Sequence, residues 1–315
     1  WDDYRKLLPL PPFTTHPLCL PAAMLPGLQD EAVVGEAERR RALLDREYPL
    51  LQDHTLHPAT ATYERAGAPL SLIPPPLSWA YARVVSRWFA MADGATLALV
   101  PFLDMAQHAA RPCANFTTSD GGGFRLVALR SLAEGEPITI CYGEDYASRR
   151  LFSQYGFHEA EGSAQDARLL LETVEAAAAA GIEAATTPLV KPDDALLQAL
   201  APAFASAKVD VAYASAPRLG AIYDVLTADA APAPSALSAA VRWRLAQAPT
   251  ALADDEVELH QAHLAYASGE ERDPRHLSVL EYRVGWKRQL ALCAFVLDRC
   301  LTANGHNRPS MVGDI

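Results

Sequence analysis

Ile138-Thr139-Ile140-Cys141-Tyr142-Gly143 (ITICYG) reads as a short buried strand that ends on a tyrosine and a glycine. Thirteen residues after that tyrosine the pair recurs as Tyr155-Gly156, inside QYGF. Glycine opens backbone conformations that other residues avoid, so each pair marks a place where the chain turns. Working outward, residues 97–103 (LALVPFL) form an apolar run and Phe124–Leu129 has strand-like content. Gly121-Gly122-Gly123 and Ala133-Glu134-Gly135-Glu136 read as turns on either side of the second segment. Three short β segments separated by turns predict a small, irregular sheet.

The flanks read as helix. Residues 1–30 are proline-rich, which denies them long regular elements. Residues 31–53 carry an apolar stripe of Val33, Val34, Leu43 and Leu44 among charged neighbours. After Pro74-Pro75-Pro76, Ser78 is placed to cap a helix running through Trp79, Val84, Val85 and Phe89. Beyond about residue 160 the character changes. Segments 165–180, 195–206, 218–228, 235–247, 254–268 and 276–302 all favour helix, and the Ala/Pro stretch 228–235 reads as a linker. In the last segment Leu280, Val284, Ala291 and Phe295 share one helix face. The expected fold class is therefore α+β, with a β-rich part over 1–160 and an all-α part over 161–315.

Composition narrows the function. The chain has 315 residues, half of them hydrophobic, enough for a sizeable core. A net charge of −11 offers no basic field for phosphates, which argues against a nucleic-acid partner and for a neutral or basic protein one. Cys19, Cys113, Cys141, Cys293 and Cys300 form no CxxC pair, which argues against structural zinc and fits a reducing compartment. Cys293 and Cys300, seven apart, read as helix packing. No apolar run is long enough for a membrane span. The sequence starts at Trp1 and shows no secretory signal.

Asp104-Met105-Ala106-Gln107-His108 sets a carboxylate, an amide and an imidazole directly after the LVPFL run. Taken alone, ordinary turn chemistry accounts for it equally well. It has no metal-ligand spacing, and the chain has no G-x-S-x-G elbow, Walker loop or dinucleotide fingerprint. Each tyrosine, alone, is more often a core aromatic than a catalytic group.

The set as an ensemble resembles the SET-domain methyltransferases, in the group around the Rubisco large-subunit lysine methyltransferase. The resemblance is carried by LVPFLDMAQH (99–108), FRLVALRSLAEGEPITICYG (124–143), LFSQYGF (151–157) and Ser86-Arg87-Trp88-Phe89. It covers Trp1 to about residue 160 as a SET domain with a helical insert over about 22–95. It continues more loosely through Tyr282-Arg283 to Leu290, as the helical substrate-binding domain of this group. It implies S-adenosylmethionine as cofactor and a lysine of a non-histone protein as substrate. Methylation of a protein histidine and a non-catalytic binding module are the alternatives. It further implies that Arg87, Gln107 and His108 bind the cofactor, that Asp104 and Tyr155 lie on the substrate side, and that Tyr142 is catalytic and orients the amine. No metal is implied, and the compartment is the chloroplast or cytoplasm. Three departures stand out. Gln107 replaces the usual asparagine. Met91 stands where the plant enzyme's pattern has a basic residue. The family's early Gly-x-Gly segment is absent, which implies a fragment of a longer chain.

The chemistry suits these residue types. Methyl transfer needs nucleophile, methyl and sulfur in line, and alignment contributes up to roughly 7–11 kcal/mol. A lysine with a free pKa of about 10.4 must lose its proton, which a water-poor aromatic channel favours. The reading places rings 142 and 155 on opposite sides of that channel, aimed into it by their glycines.

Overall fold

In the computed structural model the described residues are 4, 8, 14–47, 76–91, 95–109, 111–118, 123–143, 146–158 and 234–303. The predicted helices at 165–180, 195–206 and 218–228, the 160/161 boundary and the side chains of Cys293, Phe295 and Cys300 lie outside what is described.

Two 3-10 turns, Pro17–Cys19 and Leu25–Leu28, lead into helix α1, Glu31–Glu47. Asp30 caps that helix: its Oδ1 accepts from the Ala32 N–H at 3.1 Å. The same carboxylate accepts, through Oδ2, from Arg149 Nε at 3.0 Å and from the Tyr282 hydroxyl at 2.8 Å. Helix α2, Pro76–Val85, starts on a proline, whose fixed φ and missing N–H suit a first turn. Ser78 therefore lies inside the helix, buried, and is not its cap. Nor does the helix reach Phe89. Bulky Trp88 and Phe89 favour a pleated surface, and Trp88–Ala90 forms β1, antiparallel to β2, Leu97–Leu99.

The described residues hold six short strands in three two-stranded sheets. β3, Gln107–His108, pairs in parallel with β6, Thr139–Ile140. Between them, β4, Ala114–Thr118, and β5, Phe124–Ala128, form an antiparallel hairpin. Of the expected β segments, 97–103 keeps only its first three residues as strand, and ITICYG keeps only two. β4 was not expected at all. Phe89, Ala106, Cys113, Ala114 and Ile140 form the core these strands share, with Tyr142 packed against it. Helix α3, Ser148–Tyr155, follows.

Of the expected C-terminal helices, those near 235–247, 254–268 and 276–302 lie in described residues and are present: α4, Pro234–Ala246, α5, Leu252–Ser268, and α6, Pro274–Ala303. Leu280 and Val284 of α6 pack on Leu259 and Ala262 of α5. Other side chains of α6 are buried as well. Tyr282 stacks on Phe152 of α3 with ring centroids 4.3 Å apart, and Trp286 Nε1 donates to the Leu28 carbonyl at 3.1 Å. Among the described residues no helix is long and apolar enough to cross a membrane.

Candidate functional site

The parallel pairing of β3 with β6 builds the site. It lays residues 107–108 beside 139–140, so Tyr142, two residues past β6, arrives over the end of the 3-10 turn Leu103–Met105. Its hydroxyl donates to the Ala106 carbonyl at 2.8 Å, and its backbone N–H donates to His108 Nδ1 at 3.1 Å. In its neutral form His108 then carries its proton on Nε2.

Arg87 stands in the turn between α2 and β1. Its Nη1 donates to the Asp104 carbonyl at 3.2 Å and to Asp104 Oδ2 at 3.1 Å, and lies 3.6 Å from Met105 Sδ. The Asp104 side chain is fully buried, and its Oδ2 also accepts from the Tyr4 hydroxyl. Two buried atoms of this cluster have no hydrogen-bond partner, Arg87 Nε and Asp104 Oδ1.

A cavity of about 160 Å³ opens at this point, lined by Arg87, Trp88, Phe89, Asp104, Ala106, Phe116, Tyr142, Tyr146, Gln154 and Tyr155, among others. Four of the six residues singled out in the sequence thus share one cavity: Arg87, Asp104, Tyr142 and Tyr155. The other two do not line it. Gln107 is exposed, and its amide donates to the Met105 carbonyl at 3.1 Å. His108 lies behind Tyr142, with ring centroids 5.2 Å apart.

Tyr155 comes from the last residue of α3, not from a strand. Gly156 ends that helix at φ +83°, the left-handed conformation glycine tolerates best. A Cβ there would also stand 2.5 Å from the His16 backbone nitrogen, so the Thr14–Leu20 segment crosses tightly over the helix end. Gly143 works differently. It is not among the residues of positive φ, and a Cβ would meet the Tyr146 ring at 2.6 Å, so the glycine makes room for an aromatic.

The expected slot between the two tyrosines is closed. Their ring centroids are 4.6 Å apart, which is contact distance for aromatic pairs, so no side chain passes between the faces. Tyr142, Tyr155 and Tyr146, the last with its centroid 6.4 Å from that of Tyr155, form one aromatic wall. Arg150 covers the Tyr146 ring at 3.8 Å. Burial pushes the phenols of Tyr142 and Tyr155 upward, with the Arg87 charge opposing the shift at Tyr142. Both stay protonated at neutral pH.

The sequence reading missed Tyr146, Gln154 and the pair Trp88-Phe89 as cavity residues, and it missed Tyr4 as a partner of Asp104. Trp88-Phe89 directly follows Arg87, and Tyr146 lies four residues past Tyr142, so proximity could have flagged them. Nothing local links Tyr4 to Asp104. Among the described residues no three His, Cys, Asp or Glu side chains gather as a metal site.

No known family profile matches the chain, and no curated protein matches it. Solved structures do. The SET domain of LSMT bound to lysine and AdoHcy aligns with a TM-score of 0.49 at 17% identity, over 95% of this chain and 70% of that one. Rubisco LSMT bound to sinefungin and monomethyllysine aligns with a TM-score of 0.47 at 17% identity, over the same shares of 95% and 70%. Rubisco LSMT bound to AdoMet gives 0.47 at 18% identity, again over 95% and 70%.

Proposed function

We propose that the chain is an S-adenosylmethionine-dependent protein-lysine N-methyltransferase of the SET type, acting on a non-histone protein. In this reading residues 1–160 are the SET domain and 161–315 the substrate-binding domain. The observation that carries it is the convergence of Arg87, Asp104, Tyr142 and Tyr155, from four separate stretches of chain, on one cavity.

The residues present fit one end of that cofactor. A cavity of about 160 Å³ is smaller than the roughly 300–1,000 Å³ of a whole small-molecule site. It offers the buried, unpartnered Arg87 Nε to an anionic group such as an amino-acid carboxylate. The aromatic rings of Trp88, Phe89, Tyr142 and Tyr155, which line the cavity, suit a cationic sulfonium. When bound, the cofactor supplies an electrophilic methyl group.

The chain's own residues do the rest. Arg87 holds the carboxylate. Tyr142, kept protonated by burial, donates to Ala106 and leaves its oxygen lone pairs for the incoming amine. His108 acts through Tyr142, whose backbone it fixes. The aromatic wall keeps water from the amine and favours its neutral, nucleophilic form. Asp104, already held by Arg87 and Tyr4, adds negative potential on the substrate side.

The test is incubation of the chain with S-adenosylmethionine and lysine-bearing proteins, read by mass spectrometry. A methylated lysine is the expected result. Methyl groups on histidine alone would move the reading to a histidine enzyme. The closed contact between the two tyrosines favours one second reading, a non-catalytic SET-derived binding module. That reading predicts no transfer and no binding of S-adenosylhomocysteine by calorimetry.

A further inference from the structure

Tyr4 is nearly buried and lies a hundred positions from the residue it touches, yet its hydroxyl donates to Asp104 Oδ2. Arg87 reaches the same oxygen through Nη1 and spends the same nitrogen on the Asp104 carbonyl. The guanidinium is thus clamped by one corner, and Nε is left buried and without a partner in a residue that lines the cavity. A buried donor in that state costs stability unless a ligand satisfies it.

Resting on the functional reading above, we propose that Tyr4 is a positioning residue for ligand binding: it locks Asp104, Asp104 locks Arg87, and Arg87 Nε receives the carboxylate of the cofactor's amino-acid end. Two further observations support the arrangement. The Tyr4 hydroxyl is pushed up to about 12, chiefly by burial and then by its bond to Asp104, so it remains a donor throughout the neutral range. The ring is anchored edge-on against Phe102, with centroids 6.2 Å apart. Asp104 without the Tyr4 bond would keep only Arg87 on Oδ2, and the carboxylate would be free to turn about its own axis.

The test uses Tyr4→Phe in the full chain, since phenylalanine keeps the ring and removes the hydroxyl. Two probes are titrated by calorimetry, S-adenosylhomocysteine and 5′-methylthioadenosine, which lacks the amino-acid end. The variant is expected to bind the first about ten-fold more weakly and the second unchanged. An equal loss for both probes, or no loss for either, overturns the inference while leaving the functional reading intact. If Tyr4→Phe does not fold, Asp104→Asn is the second variant, with the same selective loss expected and the same two results overturning. A wild-type chain that binds neither probe overturns the inference together with the reading it rests on.

Discussion

Two buried aspartates, one in each half of the molecule, are treated in opposite ways. Asp255, on α5, uses both oxygens. Oδ2 takes Lys287 Nζ at 2.5 Å, while Oδ1 takes the Thr250 hydroxyl at 2.5 Å and Arg283 Nη2 at 3.1 Å. Lys287 then spends its remaining protons on Gln29 Oε1 and the Thr250 carbonyl, both at 2.7 Å. Asp104 is as deeply buried, but its partners crowd onto Oδ2, and Oδ1 has none. At the carboxylate the first pattern is what a structural ion pair requires, because a buried charge is tolerated when its hydrogen-bonding capacity is filled, although Arg283 Nε in the same network is also buried without a partner. The second leaves capacity in reserve beside a cavity, as a binding site does.

Four measurements would break or sharpen that contrast. The largest effect is expected at the saturated pair. Asp255→Ala strands Lys287 without a carboxylate, and chemical denaturation should show a loss of about 3–5 kcal/mol. A loss below about 1 kcal/mol would mean the network is not structural. At the cavity the effect should appear in turnover instead. Under the proposed function, Tyr142→Phe should leave the denaturation midpoint nearly unchanged and lower methyl transfer about 100-fold, the scale on which a single positioned hydrogen-bonding group acts.

The third measurement concerns His16, fully buried beside Gly156 on the flank of the cavity half. Burial pushes its imidazole down to about 3, and the charges of Arg83 and Arg40 add to the effect. The unfolded chain takes up a proton as pH falls through about 6.5 and the folded chain does not, so stability is lost progressively between pH 6.5 and 3. From pH 7 to pH 5 the loss from this one group is about 2 kcal/mol. Replacing it with Gln should flatten the slope of stability against pH over that range. The smallest effect is expected at Arg288, whose Nε lies 2.7 Å from Glu256 with both side chains well exposed. Arg288→Ala should cost about 0–1 kcal/mol, because water competes for both groups.

Much of this arrangement could be read from local sequence, and the parts that could not share a cause. Arg87, Asp104, Tyr142 and Tyr155 were found because each stands in a recognisable short motif at an element's end. The helices near 235–247, 254–268 and 276–302 announced themselves by apolar spacing sustained over several turns. β4 carried only five residues of weak pattern, and a hairpin strand depends on its partner for stability. The register of β3 with β6 is two residues long, too short to leave a pattern. The Tyr4–Asp104 bond joins distant positions through the folded core alone. The contact between the two tyrosine rings is a sub-nanometre distance set by how α3 docks, which no spacing rule encodes.

That two-residue parallel register also bears on the order in which the chain acquires its shape. Gln107 and Thr139 lie about thirty residues apart, and the segment between them forms its own hairpin. Such non-local closure is entropically costly and slow. Local helices and the β4–β5 ribbon should therefore be in place first, and Tyr142 should dock among the final events. A folding intermediate with most of its native circular dichroism and no affinity for S-adenosylhomocysteine would be the kinetic signature of that sequence of steps.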